Sequence, residues 1–165
     1  MENLIPPEQK DPETAEHQRF PGLQSVEKDY EHIRMADLAE ELGISNGILY
    51  VYFKTKDTLF LCLLWREYEK RLDYLTEKAA SRQIHCFEDI KRLFLDELEY
   101  LVDSNPLYIC LESMRSAILE RNTNQDVLLR MKTHLFECME AWTDRLSRSG
   151  VLTSRQLVDI FSWKP

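Results

Sequence analysis

The chain has 165 residues, the size of one domain or of a small domain joined to a modest second one. Apolar residues make up 44 % and charged residues 30 %, with only 4 Gly and 6 Pro, which favours helices over sandwiches, barrels and glycine-rich phosphate loops. The net charge of -8, from 21 basic and 29 acidic residues, excludes a bulk polyelectrolyte interaction with nucleic acid, so any DNA contact must be local.

No segment reads as a membrane span. The longest strongly apolar run, Thr58–Trp65, falls far short of the about 20 residues a span needs, and MENLIPPEQK lacks a signal-peptide core. Cys62, Cys86, Cys110 and Cys138 are scattered singly, without metal-ligand spacing. They are expected to be reduced core thiols in a cytoplasmic protein that has no metal or cofactor.

Residues 1–28 carry four of the six prolines and read as a flexible or atypical segment. Asp11-Pro12 suits a short helix start, and Pro21-Gly22 breaks any such helix. Residues 29–56 follow as a pair of short helices. Met35–Leu42 places Met35, Leu38, Ala39 and Leu42 on one face. Gly43-Ile44 interrupts it, and Ser45 is a good cap for a second helix through Tyr52.

Residues 57–165 are expected to form a helical domain. A long helix capped by Thr55 runs from Lys56 towards Ser81, followed by Phe87–Val102. Asp103–Pro106 breaks the chain and restarts a helix over Pro106–Glu120. After Asn122–Asn124 comes Gln125–Ser147, then Gly150. Thr153–Gln156 is a T-x-x-Q capping box opening a last helix. Its apolar positions Leu157, Val158, Ile160, Phe161 and Trp163 are expected to seek a partner. No strand and no internal repeat is readable.

Residues 34–56, RMADLAEELGISNGILYVYFKTK, have the spacing of a helix-turn-helix. Ala39 is small where two helices would cross. Gly43 falls at the turn, where a positive φ is needed. Leu49 is expected to face inward and Ile44 to plug the corner.

This stretch resembles the TetR family of bacterial transcriptional regulators. Their signature has a Leu/Ile-Ala pair, then G-[VI]-S-x-G-x-[LI]-Y-x-[YH]-F, two residues and K-[ED]-x-L. The chain has Leu38-Ala39, then Gly43-Ile44-Ser45-Asn46-Gly47-Ile48-Leu49-Tyr50-Val51-Tyr52-Phe53, then Lys56-Asp57-Thr58-Leu59. The resemblance implies an all-α protein: a helix-turn-helix DNA-binding domain, then an antiparallel helical bundle for ligand binding and dimerisation.

It also implies a recognition helix over Ser45–Phe53 in the major groove. Asn46, Gly47, Ile48 and Val51 would lie near base edges. Tyr50 and Tyr52 would offer hydroxyls to phosphates, Lys56 would touch the backbone from the next helix, and Arg34 would stand at a phosphate-contacting position. Ser45 and Lys54 complete the DNA-facing set, although Lys54 and Lys56 also suit an ordinary solvated face. Phe53 reads as a packing residue beneath the helix.

The chain departs from the family's pattern in three places. The residues before Asp29-Tyr30, EHQRFPGLQSVEK, stand where the family has a helix with an apolar face. From Glu31 to Lys56 three basic residues face four acidic ones. The last helix stops early, so the bundle is expected to be incomplete, and a fragment or shifted reading frame would explain both ends.

For the bundle, the resemblance implies a pocket for an unknown inducer of apolar or aromatic character. Tyr68, Tyr100, Tyr108, Met114, His134, Met139 and Trp142 are candidate lining residues, with plain core as the other reading. Expected partners are a palindromic double-stranded operator and a second copy of the chain, with no membrane. No nucleophile elbow, P-loop, zinc-protease or dinucleotide-binding motif is present, so no enzyme is expected. The alternative is a TetR-like helical protein without DNA binding that acts as a protein- or small-molecule-binding module.

Overall fold

The computed structural model describes residues 30–161, which divide into two compact units at Lys56/Asp57. The expectations for the first 28 residues and for Trp163 lie outside the described residues. Among the described residues the chain is all helical, with no strand and no helix long and apolar enough to cross a membrane.

The first unit holds a 3-10 turn at Tyr30–His32, then α1 (Met35–Glu41) and α2 (Asn46–Tyr52). Met35, Leu38 and Ala39 are the buried face of α1, and Leu49 is the buried residue of α2. Ala39 is only 2 % exposed, and a methyl there lets the two helices pack closely. Ile44 departs from expectation: it stays exposed rather than plugging the corner.

The long helix α3 (Lys56–Ala80) leads into the second unit, where α4 (Phe87–Ser104), α5 (Pro106–Met114), α6 (Gln125–Ser147) and α7 (Ser154–Phe161) follow. Side-chain caps set several of these ends. Asn105 Oδ1 accepts from the Tyr108 N–H at 3.2 Å, with Pro106 opening α5. Asn124 Oδ1 accepts from the Asp126 N–H at 2.8 Å. Thr153 and Gln156 exchange both bonds of a capping box, at 3.0 and 3.3 Å.

The expected helix 106–120 is interrupted. A π turn occupies Arg115–Leu119, and the Glu120 N–H reaches back five residues to the Arg115 carbonyl at 2.8 Å.

One core cluster joins Leu72 and Leu75 of α3, Ile90 and Leu93 of α4, Met139, Trp142 and Leu146 of α6, and Leu157 and Phe161 of α7. The Phe161 ring meets Trp142 edge-on at 4.8 Å and Phe94 at 5.7 Å. Leu157 and Phe161 are therefore core residues, not a face awaiting a partner.

A buried polar hub ties the same unit. The Arg71 guanidinium pairs with Glu97, donates to Tyr108 Oη at 3.3 Å and donates to the Phe161 carbonyl at 2.8 Å. Glu97 Oε2 has no partner. Burial pushes the Glu97 carboxyl above its usual range, against the opposing pull of Arg71.

Candidate nucleic-acid interface and ligand cavity

The turn between α1 and α2 is a Schellman motif. The Gly43 N–H donates to the Glu40 carbonyl and the Ile44 N–H to the Ala39 carbonyl, each at 3.0 Å. Gly43 carries the left-handed φ of +65° that this closure requires. Ser45 follows in extended conformation, and its hydroxyl accepts from the Ile48 N–H at 3.2 Å, starting α2. Leu49, 2 % exposed, pins the helix from beneath, and Phe53 is half-buried at its end.

The opposite side of α2 is open. Asn46 and Gly47 are exposed, as are Ile48 (50 %), Tyr50 (44 %), Val51 (70 %) and Tyr52 (53 %). These six and Ser45 therefore lie together on one solvent-facing helix.

The three cations are placed differently. Arg34 is exposed, but its guanidinium is forked onto Asp37, Nε to Oδ2 at 3.0 Å and Nη2 to Oδ1 at 2.7 Å. The hydrogen bond from Arg34 holds the Asp37 carboxyl below its usual range. Lys54 Nζ donates to the Tyr50 carbonyl at 3.2 Å. Lys56 Nζ points into the unit. It donates to the carbonyls of Tyr30 (2.6 Å), Ile33 (3.1 Å) and Glu31 (3.2 Å) and sits 4.5 Å from the centre of the Tyr30 ring. Three carbonyls use the three donors of an ammonium. Lys56 and Tyr30 lie 26 residues apart, a pairing that no local spacing encodes.

The second unit holds a cavity of about 70 Å³. Leu61, Leu64, Trp65 and Tyr68 of α3 line one side, and Leu128, Met131, Lys132 and Leu135 of α6 another, with Arg115 and Glu120 at the π turn. Its polar border is a closed set. Tyr68 Oη donates to Glu112 at 2.5 Å, Arg115 bridges Glu112 and Glu120 at 2.8 Å each, and Lys132 reaches Glu120 at 2.7 Å. Burial, with Tyr108 and Glu112 adding to it, drives the Tyr68 phenol far above its ordinary value.

Of the seven expected lining residues, Tyr68 lines this cavity. Tyr108 meets the Tyr68 ring edge-on at 5.3 Å and is buried, as is Met114. His134 lies 5.0 Å from the Trp65 ring. Tyr100 stacks on Tyr74 at 4.0 Å, and Met139 and Trp142 belong to the core around Phe161. The structure therefore does not bring the seven together. Sequence reasoning missed Leu61, Leu64 and Trp65, and Leu128, Met131 and Leu135. Their spacing by three and four along α3 and α6 was the available signal.

The fold and the exposed α2 define a helix-turn-helix protein. Residues 25–63 match the family model described as bacterial regulatory proteins, tetR family. The matched segment includes the whole helix-turn-helix, which is therefore of tetR type. The chain is similar to the HTH-type transcriptional regulator SAB2452 of Staphylococcus aureus (strain bovine RF122 / ET3-1), with 30 % identity over 89 residues, 53 % of this chain and 46 % of that protein. The HTH-type transcriptional regulator SAUSA300_2515 of Staphylococcus aureus (strain USA300) is 30 % identical over 88 residues, with the same shares covered. The match thus spans about half the length of these curated relatives. No solved structure matches the chain.

Proposed function

We propose that this protein is a DNA-binding transcriptional regulator acting as a ligand-responsive repressor, and not an enzyme. The observation that carries the reading is α2: a helix capped by Ser45, pinned by Leu49, and open to solvent from Asn46 to Tyr52. A helix held in that way from one side alone suits a major groove. The operator is a palindromic duplex read by a homodimer in the cytoplasm. Ser45, Asn46, Gly47, Ile48, Tyr50, Val51, Tyr52 and Lys54 are the contact set, with Arg34 available once it leaves Asp37.

The effector is a small apolar or aromatic molecule admitted at the cavity beside Tyr68. At about 70 Å³ the cavity is smaller than the about 300–1,000 Å³ of drug-sized pockets. Binding therefore opens the border of Tyr68, Glu112, Arg115 and Glu120, and that cost links occupancy to the state of the bundle.

A second reading, a helical protein without DNA binding, is favoured by one observation: each cation of the described first unit already has a partner. Fluorescence anisotropy against duplex DNA flanking the gene, at several salt concentrations, separates the two. Salt-sensitive sub-micromolar binding, lost in Tyr52→Ala with Lys54→Ala, supports the regulator. A flat titration at low salt with folded protein supports the second reading.

A further inference from the structure

The outermost line of α2 is made by Gly47 and Val51. At 3.6 residues per turn, each lies about 160° around the helix from the buried Leu49. Among the described residues of the first unit, Val51 is the most exposed large apolar one, at 70 %.

Gly47 has no internal reason to be glycine. Its φ is not left-handed, and a Cβ built on it meets only Ser45 Oγ, at an ordinary 3.9 Å. Glycine in a helix is destabilising relative to alanine, so even in the first turn of α2 this position costs the free protein some stability and gives it no contact. Removing a side chain at the crest of a helix does one thing: it lets another surface approach the backbone.

The chemistry of the crest narrows that surface. α2 carries no Arg or Lys, the usual readers of guanine, and Asn46 is its only side-chain amide. Ile48 and Val51 offer only methyl groups, whose complement on a base edge is the thymine 5-methyl.

We propose that α2 selects its duplex through thymine methyl groups packed on Val51, with Gly47 as the gap that lets the helix come close enough for that contact. The proposal rests on the DNA-binding reading above. The half-site is one in which a T·A pair opposite Val51 is distinguished from all others by its methyl.

The test uses the full chain and a duplex library randomised over two helical turns. The selected duplex is resynthesised with each dT replaced in turn by dU, which removes only the methyl. A single dU, in one half-site, is expected to weaken binding about fourfold, the value of one buried carbon group. Val51→Ala, at a position too exposed to matter for folding, is expected to bind the dT and dU duplexes alike. Gly47→Ala is expected to raise the melting midpoint by about 1–2 °C and yet to weaken DNA binding.

Opposite signs for stability and affinity would not arise from a purely structural glycine. Tolerance of dU everywhere, a dU penalty that survives in Val51→Ala, or wild-type affinity in Gly47→Ala overturns the proposal while leaving DNA binding intact. If no duplex is enriched, the DNA-binding reading fails and the proposal falls with it. The stripe then fits a protein partner.

Discussion

Two short helices, α2 and α7, spend their apolar residues in opposite ways. In α7, Leu157 and Phe161 are fully buried, and the Phe161 carbonyl is held by Arg71. In α2, only Leu49 is buried, and Ile48, Tyr50, Val51 and Tyr52 stay in solvent. The contrast extends to polar groups. The second unit sinks a guanidinium and a carboxylate into its core. The first unit keeps its forked Arg34–Asp37 pair wholly at the surface. α7 closes on a core and α2 holds a face outward, although the second unit also leaves Phe87, Leu95, Val102, Ile109, Leu129 and Phe136 in solvent.

The largest effect that would test this contrast is at the hub. Arg71→Met leaves Glu97 buried without a counter-charge, at a cost of about 3–5 kcal/mol at neutral pH, read by urea unfolding. Burial already raises the Glu97 carboxyl, and losing Arg71 raises it further. A group whose folded value lies above its unfolded one stabilises the fold in its protonated form. The penalty is therefore larger at neutral pH and fades as pH falls towards the ordinary glutamate range. A pH-independent loss, or an Arg71→Met/Glu97→Met double variant no more stable than the single one, would break the account of the hub.

Lys56 provides the matching experiment in the first unit. Lys56→Met removes an ammonium shared by three carbonyls and is expected to cost about 1–3 kcal/mol, less than Arg71→Met because these carbonyls lie nearer water. DNA affinity should fall by a similar factor at every salt concentration. A lysine bound to phosphate would instead flatten the plot of log affinity against log salt by about one unit of slope. An unchanged slope marks Lys56 as a residue that positions the unit, and a slope lower by one returns it to the phosphate contacts.

These two cations also show where sequence stops informing. Helix ends were readable because Ser45, Asn105-Pro106, Asn124 and the Thr153–Gln156 box act on their own neighbours. Gly43 was readable because one residue type fits a left-handed turn. The inward face of α2 followed from Leu49 alone. What Arg71 and Lys56 grip was not readable, since their partners lie 26 residues or more away for Glu97, Tyr108, Phe161 and Tyr30. The lining of the cavity was not fully readable for a related reason. Tyr100, Met139 and Trp142 have the right chemistry, but which helix face meets which neighbour depends on rotations that composition does not set. The π turn at Arg115–Leu119 has no Gly or Pro to announce it, and is bordered instead by Arg115 bridging Glu112 and Glu120.

The smallest predicted effect sharpens the comparison most, because it applies one perturbation to both units. Gly43 and Gly150 share a left-handed backbone, φ +65° and +75°, and a Cβ at either meets nothing within 4 Å. Gly43→Ala and Gly150→Ala therefore carry the same penalty, the left-handed strain of a side chain, about 1–2 kcal/mol, with no steric term. Thermal melts should show two similar losses. Their consequences for DNA should differ. Gly43 closes the Schellman turn that aims α2 away from α1, so relief of strain there rotates the outward face. Gly150 lies between α6 and α7, whose register is fixed by Leu157, Phe161 and the Arg71 clasp. At a temperature where both variants remain folded, Gly43→Ala should lose DNA affinity well beyond its loss of stability, and Gly150→Ala should bind as the unaltered chain does. Equal losses of affinity would mean that the turn at Gly43 has no special part in aiming α2 and that the contrast between α2 and α7 does not extend to DNA binding.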